Sequence, residues 1–368
     1  MTSIFRTRRA RWAVPVGTVT VVAGAIGVGA LMAGASSPDL PDRSAAELLA
    51  SVAGSEQPFS GTVVKTARLG LPELPEMVTD EAPALVSLLS GSQTARIWYS
   101  SPEQARFAVM GAVDETNVIR DGEDVWIWDS STNTAGHALL PERDGDGEAV
   151  PTPQAPVSPQ VAAQLLLAAV DPSTEVTVDG TAEVAGRAAY ELVLSPREDG
   201  SLIDDVRLAV DGETSMPLRV QVNADGDDEP AFEVGFTSVT FGEPSDDVFR
   251  FNPPPGATVE EQDLSGLLER GHAQKGHGEP ADPGAPTIVG ENWTAVAVLP
   301  GVSLPETDES GLLDALLGSA TTVTGPYGSG RMLETALVSA LLLDDGRLLV
   351  GAVTPDVLEA AAQSVGQP

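Results

Sequence analysis

A succession of about ten short segments with strand character, spread over residues 61–241, limits the fold more than any other feature of the chain. Each segment is rich in β-branched or aromatic residues, and apolar positions recur every second residue. Asp-Gly pairs, which favour hairpin turns, lie between these segments at Asp121, Asp179 and Asp211. The spacing predicts one large, mainly antiparallel sheet, and a sheet of this size must curl or close.

Two helices are predicted beside this sheet. Residues 42–52 form a short apolar pattern that begins after Asp42 or Ser44, both of which are good N-cap residues. Residues 158–170 form a longer pattern, with Ser158 as the N-cap. Strands that outnumber helices in this way predict an α+β fold that is mainly antiparallel β.

Composition divides the chain into five parts. These are a basic N-terminus (1–12), an apolar segment (13–35), the sheet domain (36–270), a linker rich in Gly and Pro (271–290) and a small C-terminal α+β domain (291–368). In the last part we expect a helix at 310–317 and a final helix from Thr354 to about Gln363.

The apolar segment 13–35 contains no charged residue and would span about 34 Å as a helix, against a hydrocarbon core of about 30 Å. Arginines precede it, so the positive-inside rule predicts a cytoplasmic N-terminus and an extracytoplasmic remainder. It is either a single-pass anchor in the cell membrane or a signal peptide cleaved after Ala35, in which case the protein is secreted. Its length favours the anchor.

The chain carries 54 acidic and 20 basic residues, a net charge of −34, and no cysteine. Such a charge repels phosphates, so nucleic acid is not expected as a partner. A basic protein partner remains open, beside the simpler interpretation that the charge serves solubility. The absence of cysteine excludes disulfides, thiolate metal sites and thiol catalysis.

No set of residues with catalytic spacing is present. Two of the three histidines, His272 and His277, lie in the predicted linker, where a fixed geometry is hard to hold. The chain has neither the G-x-S-x-G elbow nor a P-loop. The acidic run that starts at Asp144 has Ala149 and Ala155 where a calcium-binding EF-hand needs Gly and Glu. We therefore expect no enzyme activity, metal or cofactor.

Apolar rows on the predicted strands are the remaining candidate for a functional site. Trp126 and Trp128 share one face of their strand, with Val125 and Ile127 on the other, so both faces of this strand are expected to be covered. The rows form either a plain core or a cavity that admits a lipid chain. The candidate lining residues are Phe107, Val109, Trp126, Trp128, Tyr190, Leu192, Leu208, Phe232 and Phe236.

Four stretches resemble motifs of the LolA/LolB/RseB-like superfamily of envelope lipoprotein-binding domains, in its membrane-anchored actinobacterial branch. They begin at Asp121 (DG–x–WxY), Val184 (V–GR–Y–L), Leu208 (vD–xxx–lPlRv) and Phe249 (F–F–PP–GA–V). The resemblance covers residues from about 42 to 262.

The resemblance implies an unclosed antiparallel half-barrel with helices on its concave face, and a non-covalent carrier function in the cell envelope. The cavity would hold an acyl chain of a lipoprotein or lipid. An alternative is an RseB-like regulatory or sensing module that binds the extracytoplasmic segment of a membrane partner, such as an anti-sigma factor. Arg219 matches the motif arginine, with either a ligand role or a sheet-surface role.

Overall fold

The computed structural model describes residues 39–54, 57–71, 90–111, 113–140, 158–169, 172–261, 286–301 and 318–365. All of these belong to the compact unit Ser37–Pro368. The predicted membrane segment 13–35 lies outside the described residues, and no helix within them is long and apolar enough to span a bilayer.

The larger part is one sheet of twelve strands. Its strands are β1 (Phe59–Arg68), β2 (Ser90–Ser101), β3 (Gln104–Met110), β4 (Glu115–Asp121), β5 (Asp124–Asp129), β6 (Thr134–Leu139), β7 (Thr174–Val184), β8 (Arg187–Pro196), β9 (Ile203–Asp211), β10 (Pro217–Ala224), β11 (Phe232–Phe241) and β12 (Thr258–Glu261). They lie in the order β12-β6-β5-β4-β3-β2-β1-β11-β10-β9-β8-β7. Neighbours are antiparallel except β12, which runs parallel to β6. No pairing joins the edge strands β7 and β12 among the described strands, so the predicted large and unclosed antiparallel sheet is confirmed.

One face of this sheet, called the inner face here, carries the main core. Residues directly opposite each other on antiparallel strands share a face. Val63 on β1 lies opposite Ala95 and Phe236, and all three are buried. The same face continues through β10, β9 and β8, where Leu208 and Leu192 are opposite each other and fully buried.

Helix α1 (Ala45–Ala53) packs on the inner face because Leu48 and Val52, one turn apart, enter the core. Its N-terminus is a capping box: the Glu47 amide donates to Ser44 Oγ at 3.3 Å, and the Ser44 amide donates to the Glu47 carboxylate at 2.8 Å. Ser44, one of the two predicted caps, is therefore the N-cap.

Helix α2 (Pro159–Ala169) also lies on the inner face, where Ala163 is fully buried. The Val161 amide donates to the Ser158 hydroxyl at 3.3 Å, which confirms Ser158 as the predicted N-cap. The outer side of α2 exposes 70% of Leu165. Both helices begin and end within three residues of their predicted bounds.

A second sheet contains six strands in the order β13-β14-β18-β17-β16-β15. They are β13 (Thr287–Val289), β14 (Val296–Leu299), β15 (Thr321–Gly325), β16 (Gly328–Glu334), β17 (Ser339–Leu343) and β18 (Leu348–Gly351), followed by helix α3 (Pro355–Ser364). Leu358 of α3 is buried in the core of this sheet. Trp293 Nε1 donates to Thr174 Oγ1 at 2.9 Å and Ser201 pairs with Val353, so the two sheets are in direct contact.

Several local predictions were wrong. Asp179-Gly180 is not a turn: it lies inside β7, where the register with β8 shifts between Val178 and Thr181. Gly180 has a φ of +73°, and a glycine in that region suits a bulge as well as a turn. The linker does not extend to residue 290, because Thr287–Val289 forms β13. The predicted helix at 310–317 lies outside the described residues.

The strands β6, β12 and β15 were not predicted. Strand β6 has the sequence TAGHAL, in which Ala and Gly weaken the strand pattern. All four residues of β12 are exposed, and β15 is an edge strand with three exposed residues. An exposed edge strand needs no alternation of apolar residues, so it leaves little signal in a sequence.

Candidate functional site

The strand register divides the nine predicted lining residues between the two faces of the sheet. Phe107 lies opposite Ile97 on β2 and Val118 on β4, and Val118 lies opposite Ile127 on β5. Phe107 and Ile127 therefore share the inner face. Trp126 and Trp128, which alternate with Ile127, lie on the outer face.

The prediction that Trp126 and Trp128 line one cavity with Phe107 was therefore wrong. The period of two was read correctly, but a strand that is apolar on both faces does not reveal which set points inward. Trp126 stacks on His137 with ring centroids 4.1 Å apart, and Phe251 lies 5.3 Å from Trp126 and 5.9 Å from Trp128. The motif beginning at Phe249 thus covers the outer face.

Four of the predicted residues are core residues. Leu192 and Leu208 have no exposed surface, and Tyr190 and Phe236 are also buried. The Tyr190 hydroxyl donates to the carbonyl of Pro41 at 2.6 Å. Phe232 packs partly buried against the same core. Side chains so closely surrounded hold the sheet and its helices together in this conformation.

A cavity of about 200 Å³ lies on the inner face between the two helices and the strands β1, β2, β3 and β10. The residues that line it are Val52, Ala53, Gln57, Phe59, Ile97, Tyr99, Phe107, Ser158, Gln160, Val161, Gln164, Met216 and Pro217. Its deepest walls are Ile97, Phe59 and Met216, which are nearly inaccessible to solvent. Among the nine predicted residues, Phe107 is the one that lines this cavity, and Val109 follows it on the same face.

The polar groups of the cavity are uncharged. Gln160 Nε2 donates to the carbonyl of Pro217 at 3.0 Å and ties α2 to β10, while the Ser158 hydroxyl caps the helix. No hydrogen bond joins the side-chain amides of Gln57 or Gln164 to another described residue. Neither acid nor base is present among the described lining residues, so the arrangement offers apolar contact and amide hydrogen bonds rather than proton transfer.

The size of the cavity sets what fits without rearrangement. An engineered protein cavity of about 150 Å³ accepts benzene, and pockets for drug-sized ligands measure about 300–1,000 Å³. A cavity of about 200 Å³ lies between these cases. It is larger than the first of these cavities and smaller than the second.

Sequence reasoning missed most of these lining residues. Val52, Val161 and Gln164 lie on helices, and Met216 lies in a turn. The predicted lining residues, in contrast, were all apolar residues at alternate positions of predicted strands. No local pattern connects these positions. A useful signal was the absence of charge on α2, whose eleven residues include no Asp, Glu, Lys or Arg.

The arginine of the second motif, Arg187, forms a buried ion pair. Arg187 Nε donates to the carboxylate of Asp211, which is fully buried, and the guanidinium lies 4.6 Å from the ring centroid of Phe241. Burial alone would raise the pKa of Asp211, but hydrogen bonds from Arg187 and Thr214 outweigh it and lower this pKa. This ion pair joins the start of β8 to the end of β9.

Arg219 has a sheet-surface role. It lies opposite Gly235 on the outer face, and its Nη2 is 3.1 Å from Glu191 Oε1. The inner-face cavity is on the other side of the sheet, so Arg219 is not among its lining residues.

No protein-family model matches the chain, and no curated protein matches it. Solved structures are similar to it. The structure of the Pseudomonas aeruginosa MucA/MucB complex is 16% identical, covers 86% of this chain and 96% of that chain, and has a TM-score of 0.40. A LolA superfamily protein from Nitrosomonas europaea is 9% identical, covers 57% of this chain and 99% of that chain, and has a TM-score of 0.21.

A protein from Thermus thermophilus is 14% identical, with coverage of 59% and 99% and a TM-score of 0.33. The similar structures thus include a LolA superfamily protein, which belongs to the superfamily that the four motifs resemble, and MucB. The resemblance concerns the fold, which in this chain is the open antiparallel sheet with helices on its inner face. Identities and TM-scores this low assign no function, and the actinobacterial branch stays a prediction.

Proposed function

We propose that this protein is a non-covalent carrier that holds an acyl chain of a lipid or lipoprotein in the cavity under α1 and α2. The observation that carries the proposal is the composition of that cavity, with Ile97, Phe59 and Met216 as deep apolar walls. In this proposal the binding domain is extracytoplasmic and is tethered to the membrane through residues 13–35. No chemical bond is made or broken.

The cavity volume sets the strength of such binding. A CH₂ group is close in size to a water molecule, whose share of liquid volume is about 30 Å³, so a cavity of about 200 Å³ takes roughly six such groups. At about 0.8 kcal/mol for each buried CH₂, this contributes about 5 kcal/mol, equivalent to a Kd on the order of 0.1 mM. Binding of this strength is readily reversible, which suits a carrier, and tighter binding requires the helices to open.

The proposal is tested by photolabelling the full chain in membranes with a monoacylglycerol that carries a diazirine at the end of its chain. We expect labelled peptides from β2, β3 and α1. In Val161→Trp, an indole enters the cavity from α2 and reduces this labelling. Leu165→Trp is the matched control, since Leu165 lies on the same helix but does not line the cavity. Labelling confined to residues 13–35, or equal labelling in both variants, would contradict the proposal.

A second candidate function is that of a regulatory module which binds a basic extracytoplasmic segment of a membrane partner. The observation that favours it is the net charge of −34, which attracts basic chains. Crosslinking in intact cells distinguishes it from the first. Capture of one membrane protein, at equal yield in wild type and in Val161→Trp, supports the regulatory function. It also means that the cavity does not take part in binding that partner.

A further inference from the structure

The cavity that we propose as an acyl site has an uncharged mouth in a strongly charged protein. Charged residues make up 20% of the chain, yet none of the thirteen described lining residues is charged. The polar groups at its more exposed side are the amides of Gln57 and Gln164. Gln57 lies just before β1, and Gln164 lies on α2, so two separate elements contribute them.

These two amides are available to a ligand. The other lining residues with polar side-chain groups are engaged: Gln160 donates to Pro217, Ser158 caps α2, and Tyr99 is not free either. An amide side chain carries both a carbonyl acceptor and an NH₂ donor. It can therefore donate to the carbonyl of an ester or amide, and accept from a hydroxyl or an amide N–H.

Among the described residues that line this mouth, none offers a charged partner to an ionised head group. Moving a carboxylate or phosphate out of water is costly unless a cation or several donors replace the water. Arg43 contacts Ser215, next to the lining residue Met216, but it lies against the Tyr190 ring and is not among the lining residues. The carbonyl of an ester or amide loses less hydration free energy than an ionised group does, and it gains a hydrogen bond from an amide NH₂.

We propose that the cavity selects acyl chains with an uncharged ester or amide head over free fatty acids, and that Gln57 and Gln164 recognise this head. This inference rests on the function proposed above and names its ligand class. Both acylglycerols and acylated protein termini present such a carbonyl, so the chemistry is shared by two sources.

The test is competition against the photolabel described above, on the full chain in membranes at pH 8. The competitors are laurate, monolauroylglycerol and N-lauroyl-glycinamide, which have the same chain and different heads. We expect each neutral compound to compete at least tenfold better than laurate, and the better of the two identifies the source. If laurate competes as well as both neutral compounds, the proposed selectivity is wrong, and the proposed carrier function is unaffected. Labelling that no competitor reduces contradicts the carrier function itself.

Variants of Gln164 test the role of the amide. Gln164 is exposed, so these substitutions leave the buried core unchanged. Gln164→Met keeps the volume and removes the hydrogen bond, so monolauroylglycerol should bind about three- to tenfold more weakly. Gln164→Lys places a cation at the mouth, so laurate should bind about tenfold more tightly. Unchanged affinities in both variants, with unfolding temperatures equal to wild type, would rule out recognition by Gln164.

Discussion

The ion pair between Arg187 and Asp211 allows a quantitative prediction, because one guanidinium meets two carboxylates in different surroundings. Asp211 is fully buried, whereas the side chain of Glu213 is 81% exposed and lies 2.7 Å from Arg187 Nη2. We compare Asp211→Asn with Glu213→Gln, since each removes one charge and keeps the shape of the side chain.

Loss of one partner of a buried ion pair costs about 3–5 kcal/mol. In Asp211→Asn the guanidinium stays 25% exposed and keeps Glu213, so water still reaches it and the lower value applies, about 3 kcal/mol. The exposed pair in Glu213→Gln contributes less than about 1 kcal/mol. At roughly 2–4 °C per kcal/mol, Asp211→Asn lowers the Tm by about 6–12 °C.

The assay is urea unfolding at pH 7, with equal m-values required for the comparison. The pKa of Asp211 is lowered in the folded protein, so its stabilisation is present above the pKa of an unfolded Asp, about 3.9. It is lost as the pH falls through the lower folded pKa. The difference between wild type and Asp211→Asn should therefore shrink below about pH 4. If the two variants differ by less than about 0.5 kcal/mol at pH 7, the reasoning from burial is refuted.

Three further predictions concern other parts of the fold. His137 lies between Asp124, at 2.7 Å, and Glu261, at 3.1 Å; burial alone would lower its pKa, but these two carboxylates raise it. The two ion pairs of His137, one of which holds Glu261 of β12, are thus complete below the unfolded His pKa, about 6.5, and are lost as the pH rises through the folded pKa. Hydrogen-exchange protection factors at 258–261, which are corrected for the intrinsic pH dependence of exchange, should therefore be lower at pH 9 than at pH 6; equal protection factors would refute this. Ser44→Ala removes the cap of α1 and should cost about 1 kcal/mol in urea unfolding. Leu208→Ala, at a fully buried site, should cost about 2–5 kcal/mol, and a loss below about 1 kcal/mol would mean that the core collapses around the gap.

Much of the large sheet was predictable because its strands carry local signals. Strands β11 (Phe232–Phe241) and β5 (Asp124–Asp129) both lie in the succession of segments predicted over residues 61–241, since β11 alternates apolar and polar residues and β5 is rich in β-branched and aromatic residues. Ser158 was also predicted as an N-cap, and Ser44 was one of the two candidates for the first helix, because a cap depends on residues within one turn.

The candidate site was predicted only in part. Phe107 lines the cavity, but Trp126 and Trp128 belong to the outer face, and Leu192 and Leu208 are fully buried in the core. A row of apolar residues has the same appearance whether it fills a core or borders a cavity, because both surroundings exclude water.

The amino-acid sequence by itself determined where ten of the twelve strands of the main sheet lie, where its two helices begin to within three residues, and that the chain carries a strong negative charge. These properties depend on neighbouring residues or on simple sums. Only the tertiary structure decided which face of the sheet is covered by α1 and α2, and which side chains surround the cavity. Val52, Ile97 and Val161 come from three distant parts of the chain, and they meet because the sheet and both helices bury their apolar surfaces together.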